Sequence, residues 1–508
     1  MKRRLILIAA LPLLLAQNCP KPATSAGPKQ TVTSGYEVEL ASAASPDSTQ
    51  CPGGRLTIAS WGSVFNGPLD GSAPFTDVTQ QIYDAFPSKP EQPIAWGGDP
   101  LMARLPNGDI LYSRQGNIGQ NPDVLVQLPD GKVSVIAQLL LPPEQIMHGL
   151  QGFWISHDCG QHWQAHSTID AQKEFNGVCA VSRKNADGTF LQAGWDRGEM
   201  TVDPWSGKVY FNTDCDSDAP DGQGYTTRLF ALEPNSQTWT PSPVILPRAA
   251  PAVMTVTQSG ALWLFHCVED QPLLYRSQDG GMSFPPPTVV NAKLPASNRP
   301  ACGSVVNATP EREKIAGHGS EELAGHQEVL VYDYGLARSG VESVRVTYPT
   351  LDGGRAHLVS VAATHKSNDD ELFILNLVNR FTQEAADGSE IHETFIERDD
   401  VGAEKSPNLT ALLYWLESSP GQNQLRVRYS VVRAGINYEG AKTLGAAWTP
   451  AFDSSFPMTN WAGDYQNGAY VCKDHKMNFV LVWPESDPAI TAPNVGIHFA
   501  TVAVDEGC

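Results

Sequence analysis

The sequence predicts an all-β fold, built from short antiparallel strands separated by many turns. Pairs of strand-like runs joined by polar turns recur along the chain. Glycine and proline, the residues that most often mark turns, number 44 and 39 among the 508 residues. Two copies of one eight-residue turn frame begin at Ser156 and Ser277, each directly after a strand-like run. These features together favour stacked hairpins over helices.

The hairpins recur with a regular spacing. They lie over 101–113, 200–212 and 252–267, and similar pairs begin near Ser304, Leu358, Leu409 and Ala469. After the first, the spacing is roughly 50 to 60 residues, the length of a four-stranded propeller blade. The pairs predict a β-propeller of seven four-stranded antiparallel blades, with six as the alternative if the runs near Leu358 and Leu409 share a blade. The longer interval before residue 200 predicts an insertion in the first blade, and a β-sandwich is the competing architecture.

The eight-residue frame has serine, aspartate, glycine and an aromatic residue at its first, third, fifth and eighth positions. Serine and aspartate side chains can bond the turn's own amides, and glycine supplies a positive φ. The aromatic residue is expected to pack beneath the loop. These four positions are Ser156, Asp158, Gly160 and Trp163 in the first copy, and Ser277, Asp279, Gly281 and Phe284 in the second.

This frame resembles the Asp-box of the sialidase-like (BNR-repeat) β-propellers. The run Trp461–Ala469, followed by Phe479–Pro484, resembles the closing blade of secreted bacterial propellers of that type. The resemblance covers residues 95 to 500 and implies the fold. Asp-boxes in that family are structural turns on the outer rim, away from the active site, so they imply no particular reaction.

The amino terminus resembles an export signal. Lys2, Arg3 and Arg4 precede the apolar run Leu5–Ala16, which is too short to span a bilayer. We expect a signal peptide over 1–18, a flexible tether over 19–55 rich in Pro, Ser, Thr and Ala, and the propeller over 56–508. Cys19 is a candidate for lipidation, with plain secretion as the alternative.

Net charge and cysteine content indicate which classes of partner the protein binds and in which cellular compartment it is found. The net charge of −20 and pI of about 5.0 argue against nucleic acid and against an anionic membrane surface. Without Cys19, eight cysteines remain, enough for four disulfides in an oxidising compartment. Proximity suggests the pairs Cys159–Cys179 and Cys472–Cys508. The expected location is therefore secreted, periplasmic or on the cell surface, and the expected state is a monomer.

Candidate site residues follow from propeller geometry, because ligands usually bind where the innermost strands begin. Arginines there can hold a carboxylate, carboxylates can transfer protons, and a tyrosine can act as a nucleophile. The candidate catalytic residues are Asp464, Tyr465, Glu199 and Asp196, and the candidate ligand-binding residues are Asp99, Arg197, Arg248 and Arg299.

One part of the sialidase motif is missing. Sialidases open the first innermost strand with an arginine of a carboxylate clamp, about ten residues before the hairpin glycine, here Gly108. That position holds Gly98, and Arg104 imitates the motif in the wrong register. The departure argues against ordinary sialidase activity.

An acidic loop is the candidate metal site. Aspartates on alternate positions can converge on calcium, although Ala219 stands where an EF-hand needs glycine. A solvated acidic loop is the alternative. The candidate ligands are Asp214, Asp216, Asp218 and Asp221.

Three functions remain open at this point. The leading one is an exported propeller, with or without a lipid anchor, that binds a glycan or surface polymer at its channel mouth. The second is an exo-glycosidase of the sialidase superfamily that uses channel carboxylates and a tyrosine. The third is a scaffold of the cell envelope without catalytic activity.

Overall fold

The computed structural model confirms the predicted all-β class. Among the described residues the only helices are α1 (Thr79–Ala85) and α2 (Ala171–Glu174), and neither could cross a membrane. The described residues are 24–33, 40–60, 62–86, 94–96, 99–118, 125–127, 133–135, 148–174, 183–184, 190–191, 195–216, 225–247, 253–257, 259–268, 271–289, 330–333, 341–352, 355–366, 372–375, 383–384, 390–398, 410–418, 424–433, 437–438, 440–448, 468–473, 476–486 and 495–505.

The strands are numbered in chain order. They are β1 (Thr24–Ala26), β2 (Gln30–Thr33), β3 (Ala41–Ser45), β4 (Arg55–Ala59), β5 (Val64–Pro68), β6 (Thr76–Asp77), β7 (Ile94–Trp96), β8 (Leu101–Arg104), β9 (Ile110–Ile118), β10 (Leu125–Gln127), β11 (Val133–Val135), β12 (His148–Ser156), β13 (Gln164–Asp170), β14 (Arg183–Lys184), β15 (Phe190–Leu191), β16 (Trp195–Val202), β17 (Val209–Asp216), β18 (Tyr225–Leu232), β19 (Trp239–Pro247), β20 (Val253–Val256), β21 (Leu262–Val268), β22 (Gln271–Ser277), β23 (Thr288–Val289), β24 (Leu330–Asp333), β25 (Val341–Asp352), β26 (Arg355–Lys366), β27 (Leu372–Leu375), β28 (Gln383–Glu384), β29 (Glu390–Arg398), β30 (Ala411–Ser418), β31 (Leu425–Arg433), β32 (Asn437–Tyr438), β33 (Lys442–Trp448), β34 (Ala469–Lys473), β35 (Lys476–Ser486) and β36 (Val495–Val504).

These strands form seven antiparallel sheets of four or five strands, one after another along the chain. Sheet 1 is β3–β6, sheet 2 is β7–β9 with β12 and β13, sheet 3 is β16–β19, sheet 4 is β20–β23, sheet 5 is β24–β28, sheet 6 is β29–β33, and sheet 7 is β34–β36 with β1 and β2. The pairs β10–β11 and β14–β15 are separate two-stranded sheets. They lie in the long interval before residue 200, where the sequence predicts an insertion.

The first strands of successive sheets lie against one another. β3 contacts β8, β8 contacts β16, β16 contacts β20, and β20 contacts β24. β24 contacts β29, β29 contacts β34, and β34 contacts β3. The contacts therefore return to the strand from which they started.

The two ends of the sheets differ. At one end, here called the strand-start end, the first strand of each sheet begins and the second strand leads into the third. At the other, here called the turn end, short turns join the first strand to the second and the third to the fourth in sheets 2, 3 and 4. In sheet 2 the turn end holds 105–109 and 157–163, and residues 99–101 lie at the strand-start end.

Neighbouring sheets share apolar cores, because successive residues of a strand point to opposite faces. In sheet 2, Leu111 and Phe153 face sheet 3, where Phe153 lies 5.3 Å from Phe211 between ring centroids. Tyr112 and Trp154 face sheet 1 and pack with Val64 and other residues of that sheet. Both faces of sheet 2 are thus buried.

Residues 24–33 belong to the last sheet, not to a tether. β1 and β2 both pair with β36, and Lys29 Nζ lies 2.5 Å from Glu485 Oε1. Residues 41–45 form the fully buried strand β3. The predicted tether over 19–55 is therefore wrong for the described residues in that range, because small residues such as alanine and serine fit a tightly packed first strand.

The predicted hairpins correspond to the sheets only in part. Those at 101–113, 200–212, 252–267 and Ala469 are confirmed as the first two strands of sheets 2, 3, 4 and 7. The run near Leu358 is instead the third strand of sheet 5, and the run near Leu409 leads into the second strand of sheet 6. Ser304 lies outside the described residues.

A disulfide joins sheets 1 and 2. Cys51 precedes β4, and Cys159 lies in the turn between β12 and β13, with a Cα–Cα distance of 6.1 Å. The pairing of Cys159 with Cys179 suggested by proximity is wrong, because folding brings sheet 1 alongside that turn. Cys472 is also disulfide-bonded.

The pairing of β1 and β2 with β36 predicts a sharp effect of truncation. A chain starting at residue 34 should have a lower melting temperature and should aggregate, because the edge of β36 becomes exposed. A chain starting at residue 24 is the matched control and should melt like the full chain. Thermal unfolding with light scattering measures both, and equal melting of the two truncations would contradict the role of these strands.

The disulfide predicts a matched set of stability losses. Cys51→Ser, Cys159→Ser and the double variant should each lose about 2–4 kcal/mol of unfolding free energy, because one bond closes a long loop. Denaturation by urea measures the three values. Losses in the double variant that equal the sum of the single losses would contradict a shared bond.

Candidate functional site

A polar cluster occupies the strand-start end of sheet 2. Gln115 Nε2 donates to Asp99 Oδ2 at 3.4 Å, and Gln151 Nε2 donates to Ser113 Oγ at 2.8 Å. Ser113 Oγ in turn donates to the carbonyl of Gly152 at 3.0 Å. Ser113 and Gln151 are buried, whereas Asp99 and Gln115 are partly exposed. The exposed part of the cluster offers carboxylate and amide groups.

The alternation of β9 and β12 explains this cluster. Leu111 and Phe153 point into the core between sheets 2 and 3, so the residues two positions closer to the strand-start end point the same way. Those residues are Ser113 and Gln151, and Gln115 pairs with Gln151 in the register of the two strands. The apolar face thus becomes polar where it approaches the end of the sheet.

The first strand of sheet 3 carries the predicted carboxylate Glu199. It pairs with Asn212 of β17 and is partly exposed, whereas Asn212 and Thr213 are buried. Asp196 and Arg197 lie on the same strand, at a register shift between Trp195 and Gly198. Since β8 and β16 are in contact, Asp99 and Glu199 belong to neighbouring first strands.

A buried arginine lies on the opposite face of sheet 2. Arg114 is fully buried, and its Nη1 donates to Tyr83 Oη at 2.6 Å and to Tyr112 Oη at 3.3 Å. Its Nη2 donates to the carbonyl of Ser60 at 3.1 Å. Burial raises the pKa of Tyr112, which keeps its hydroxyl protonated. These contacts tie sheet 2 to sheet 1 and to α1.

Sheet 6 holds a second charged cluster near its strand-start end. Glu417 is fully buried and accepts hydrogen bonds from Trp415 Nε1 at 3.2 Å and from Arg426 Nε at 3.2 Å. Arg428 Nη1 lies 3.4 Å from the same carboxylate. With both arginines around it, Glu417 is held as an ion pair, and its geometry suits anchoring these arginines better than transferring protons.

Sequence reasoning missed both Arg114 and this second cluster, because it considered only the beginnings of first strands. A usable signal was present in the pattern. Trp415 and Glu417, and likewise Arg426 and Arg428, are two residues apart on adjacent strands and therefore share a face. The register of the two strands thus places the buried carboxylate of Glu417 opposite Arg426.

The roles of several candidate site residues remain predictions. Asp464, Tyr465, Arg248, Arg299, Asp218, Asp221 and Cys19 lie outside the described residues. Asp214 and Asp216 end strand β17, and the described part of the chain contains no group of three or more metal-ligating side chains. Arg104 ends β8 at the turn end, which agrees with the conclusion that it stands in the wrong register to open the strand.

The two eight-residue frames form matching turns. Ser156 Oγ accepts from Gly160 N and Ser277 Oγ from Gly281 N, both at 2.8 Å. Each aspartate accepts from the amide four residues later, Asp158 at 2.8 Å and Asp279 at 2.9 Å. Gly160 and Gly281 have φ values of 82° and 86°. The hydrogen bonds and the positive φ expected from the frame are therefore present in both.

Each of these turns packs against the preceding sheet. In the first, the carbonyl of Cys159 accepts from Asn66 Nδ2 of sheet 1 at 2.8 Å. In the second, the carbonyl of Gly281 accepts from Ser242 Oγ of sheet 3 at 2.5 Å. A Cβ on Gly281 would lie 2.2 Å from a side-chain atom of Leu229. The frames therefore join neighbouring sheets at the turn end, away from the polar clusters.

Comparisons with known proteins were made at the level of sequence and of structure. No protein-family model matches the chain, and no curated protein matches its sequence. A Hadza microbial sialidase, Hz136, superposes with a TM-score of 0.41 at 11% identity, over 90% of this chain and 74% of that one. The NanB sialidase of Streptococcus pneumoniae gives 0.38 at 8% identity, over 98% and 97%.

A third solved structure is the α-L-arabinofuranosidase Arb93A of Fusarium graminearum. Its TM-score is 0.35 at 8% identity, over 81% of this chain and 97% of that one. These TM-scores are low, so the fold rests on the sheet order described above. Successive four- and five-stranded antiparallel sheets, with first strand packed on first strand, give the chain a β-propeller fold.

The second Ser–Asp turn predicts a pH-dependent stability. Burial acts to raise the pKa of Asp279, but hydrogen bonds from Ser283 and Ser277 outweigh it and lower the pKa to about 2. A carboxylate whose pKa is lowered on folding stabilises the protein above its unfolded pKa of about 4, and that stability is lost as the pH falls towards about 2. Asp279→Asn should therefore melt lower than the parent at neutral pH, with a difference that shrinks in acid.

Thermal melting of both proteins across this pH range measures the effect. Asp84→Asn is the control, because Asp84 is an exposed carboxylate of α1 whose hydrogen bond comes from Gln80 Nε2, at 2.8 Å. Its melting should follow the parent at every pH. A difference between Asp279→Asn and the parent that stays constant down to the most acidic point would contradict the linkage.

Proposed function

We propose that the chain is an exported, seven-bladed β-propeller that binds a glycan or surface polymer at its strand-start end. The ring of contacts among the seven first strands supports the blade count. The pairing of β1 and β2 with β36 supports closure, because the amino-terminal strands complete the blade formed by the carboxyl terminus. On this proposal both Ser–Asp turns are Asp-boxes of the outer rim.

Export is supported by the amino-terminal pattern and by disulfide chemistry. The basic residues before Leu5–Ala16 match a signal peptide, and Cys51–Cys159 requires an oxidising compartment to persist. Cys19 is the proposed point of lipid attachment. The full proposal is a monomeric protein that is secreted, periplasmic or tethered to the cell surface through that residue.

The observation that carries the ligand assignment is the polar cluster of sheet 2. Asp99 and Gln115 offer partly exposed carboxylate and amide groups, and the hydrogen-bonded pair Gln151 and Ser113 is buried on the same face of the sheet. Amides and carboxylates positioned in this way suit the paired hydroxyls of a sugar. Glu199, on the first strand of sheet 3, is a further carboxylate that we assign to the ligand surface.

Hydrolysis is the second candidate function. Asp99, Asp196, Glu199 and Asp464 would supply the carboxylates, with Tyr465 as nucleophile and the arginines 197, 248 and 299 binding the substrate. Binding without turnover is favoured, because Gly98 replaces the expected arginine and Glu417 is held as an ion pair. A calcium ion bound by Asp214, Asp216, Asp218 and Asp221 remains part of the proposal as a stabilising ion.

A panel of chromogenic glycosides, including sialosides, and a glycan array together test the function. We expect no turnover, retention of at least one glycan, and a loss of about tenfold in affinity for Asp99→Asn and Gln115→Ala, since each removes a hydrogen bond to the sugar. Gln80→Ala is the matched control, because that exposed glutamine of α1 donates to Asp84 and lies outside the cluster, and the variant should bind normally.

Two results would change the assignment. Turnover abolished by both Asp464→Asn and Tyr465→Phe would make the protein a glycoside hydrolase. Absence of turnover and of binding to every glycan would leave the non-catalytic scaffold of the cell envelope.

A further inference from the structure

A groove lies at the turn end, between sheets 2 and 3. Its volume is about 410 Å³, within the range of small-ligand sites. Its walls come from three turns: 105–109 of sheet 2, and 205–207 and 233–237 of sheet 3. Its floor is apolar, with Leu111, Ile155 and other aliphatic residues. This groove is at the opposite end of the sheets from the polar cluster proposed above.

Internal hydrogen bonds fix the turns that form the walls. Asp203 Oδ1 accepts from the amides of Trp205 at 2.9 Å and Ser206 at 3.2 Å. On the facing wall, Asn107 Nδ2 donates to Asp109 Oδ2 at 2.7 Å. Gly207, at a φ of 76°, lies near Pro106 and Pro234, where the three turns approach one another. The groove is therefore shaped before any ligand arrives, which reduces the entropic cost of binding.

The polar groups that line it suit hydroxyls. His157 Nδ1 lies 3.0 Å from Asp109 Oδ1, and the His157 side chain is 55% exposed, whereas that of Asp109 is 16% exposed. The exposed side chain of Gln237 and that of Gln164 add amides on the outer wall. A histidine positioned by a carboxylate, together with amides, is able both to donate to and to accept from neighbouring sugar hydroxyls.

An indole completes the groove. Trp205 lines it while also packing against the core between sheets 3 and 4. Its Nε1 is buried and has no acceptor among the described residues. Aromatic side chains of this kind supply a large apolar surface with a polar edge, which matches the alternating C–H and hydroxyl faces of a pyranose.

The charges around the groove select against acidic sugars. Asp109 and Glu233 line it, and neither lysine nor arginine does among the described residues. The nearby Lys208 is already engaged, with its Nζ 2.7 Å from Glu233 Oε1. Burial lowers the pKa of His166, with a hydrogen bond donated by its ring to the Ser236 backbone acting in the opposite direction, so this histidine is neutral at pH 7. The carboxylate of an acidic sugar would therefore be repelled by Asp109 and Glu233, with no lysine or arginine of the described lining to pair with it.

We propose that this turn-end groove is a second carbohydrate site, which binds neutral pyranose rings by contact with Trp205 and by hydrogen bonds to His157, Asp109 and Gln237. It is independent of the function proposed for the strand-start end. The chain would then hold two sugar-binding surfaces at opposite ends of its sheets, and could bridge two segments of one polymer.

Saturation-transfer NMR on the purified full chain tests this site. The probes are cellobiose, lactose and maltose as neutral disaccharides, and sialyllactose as the acidic one. At least one neutral disaccharide should receive saturation, and His157→Ala and Gln237→Ala should each weaken its affinity about tenfold, the effect expected from one lost hydrogen bond to a polar partner. Trp205→Phe, which keeps an aromatic face, should weaken it less than Trp205→Ala.

His162→Ala is the matched control. His162 is also an exposed histidine at the turn end, with its Nδ1 2.6 Å from Asp158, but it does not line the groove. It should bind like the parent. No saturation of any neutral disaccharide, or equal affinity in His157→Ala, Gln237→Ala and the parent, would overturn the proposal. Tight binding of sialyllactose that His157→Ala abolishes would overturn its neutral specificity.

Discussion

Burial of both sheet faces is the constraint on which this structure depends, and sheets 1, 2, 3 and 7 share a core with a neighbour on each face. In sheet 2 the neighbouring residues Leu111 and Tyr112 point into two different cores, one shared with sheet 3 and one shared with sheet 1. A row of such sheets leaves an apolar face uncovered at each end unless the row closes. Sheets 7 and 1 share a core as well, in which Val482 and Phe499 pack with Ile58. The contact between the first and last sheets of the row is therefore a consequence of burying both faces.

The same constraint separates the sites from the core. Apolar side chains dominate the middle of the strands, and the partly exposed polar groups of the two sites lie towards the ends of the sheets. At the strand-start end the pattern changes from Leu111 to Ser113 and Gln115 along one face of one strand. At the turn end, the turns themselves carry His157, Asp109 and Trp205. The joints between sheets, including the Ser–Asp turns and Cys51–Cys159, also lie at the turn end.

Local patterns were sufficient to predict hairpins, because a turn between two strands depends on residues that are adjacent in sequence. The hairpin at 101–113 and both Ser–Asp turns are examples. They were insufficient for β3, whose run of alanine and serine resembles a linker but is fully buried. They also failed for the partner of Cys159, since Cys51 is 108 residues away in the chain and comes near only when sheets 1 and 2 pack.

The sequence by itself determined the all-β class, the repeated hairpins and the geometry of the two Ser–Asp turns, because strand alternation and turn hydrogen bonds are local. Only the tertiary structure decided which sheet lies beside which, that the amino-terminal strands complete the last sheet, and which polar residues meet. Asp99 and Gln115 come together through a short hairpin, but Asp109, His157 and Trp205 are brought to one groove from two sheets. Contacts between residues of different sheets depend on how the sheets pack. That packing depends on the contacts among all the first strands and cannot be read from any one segment.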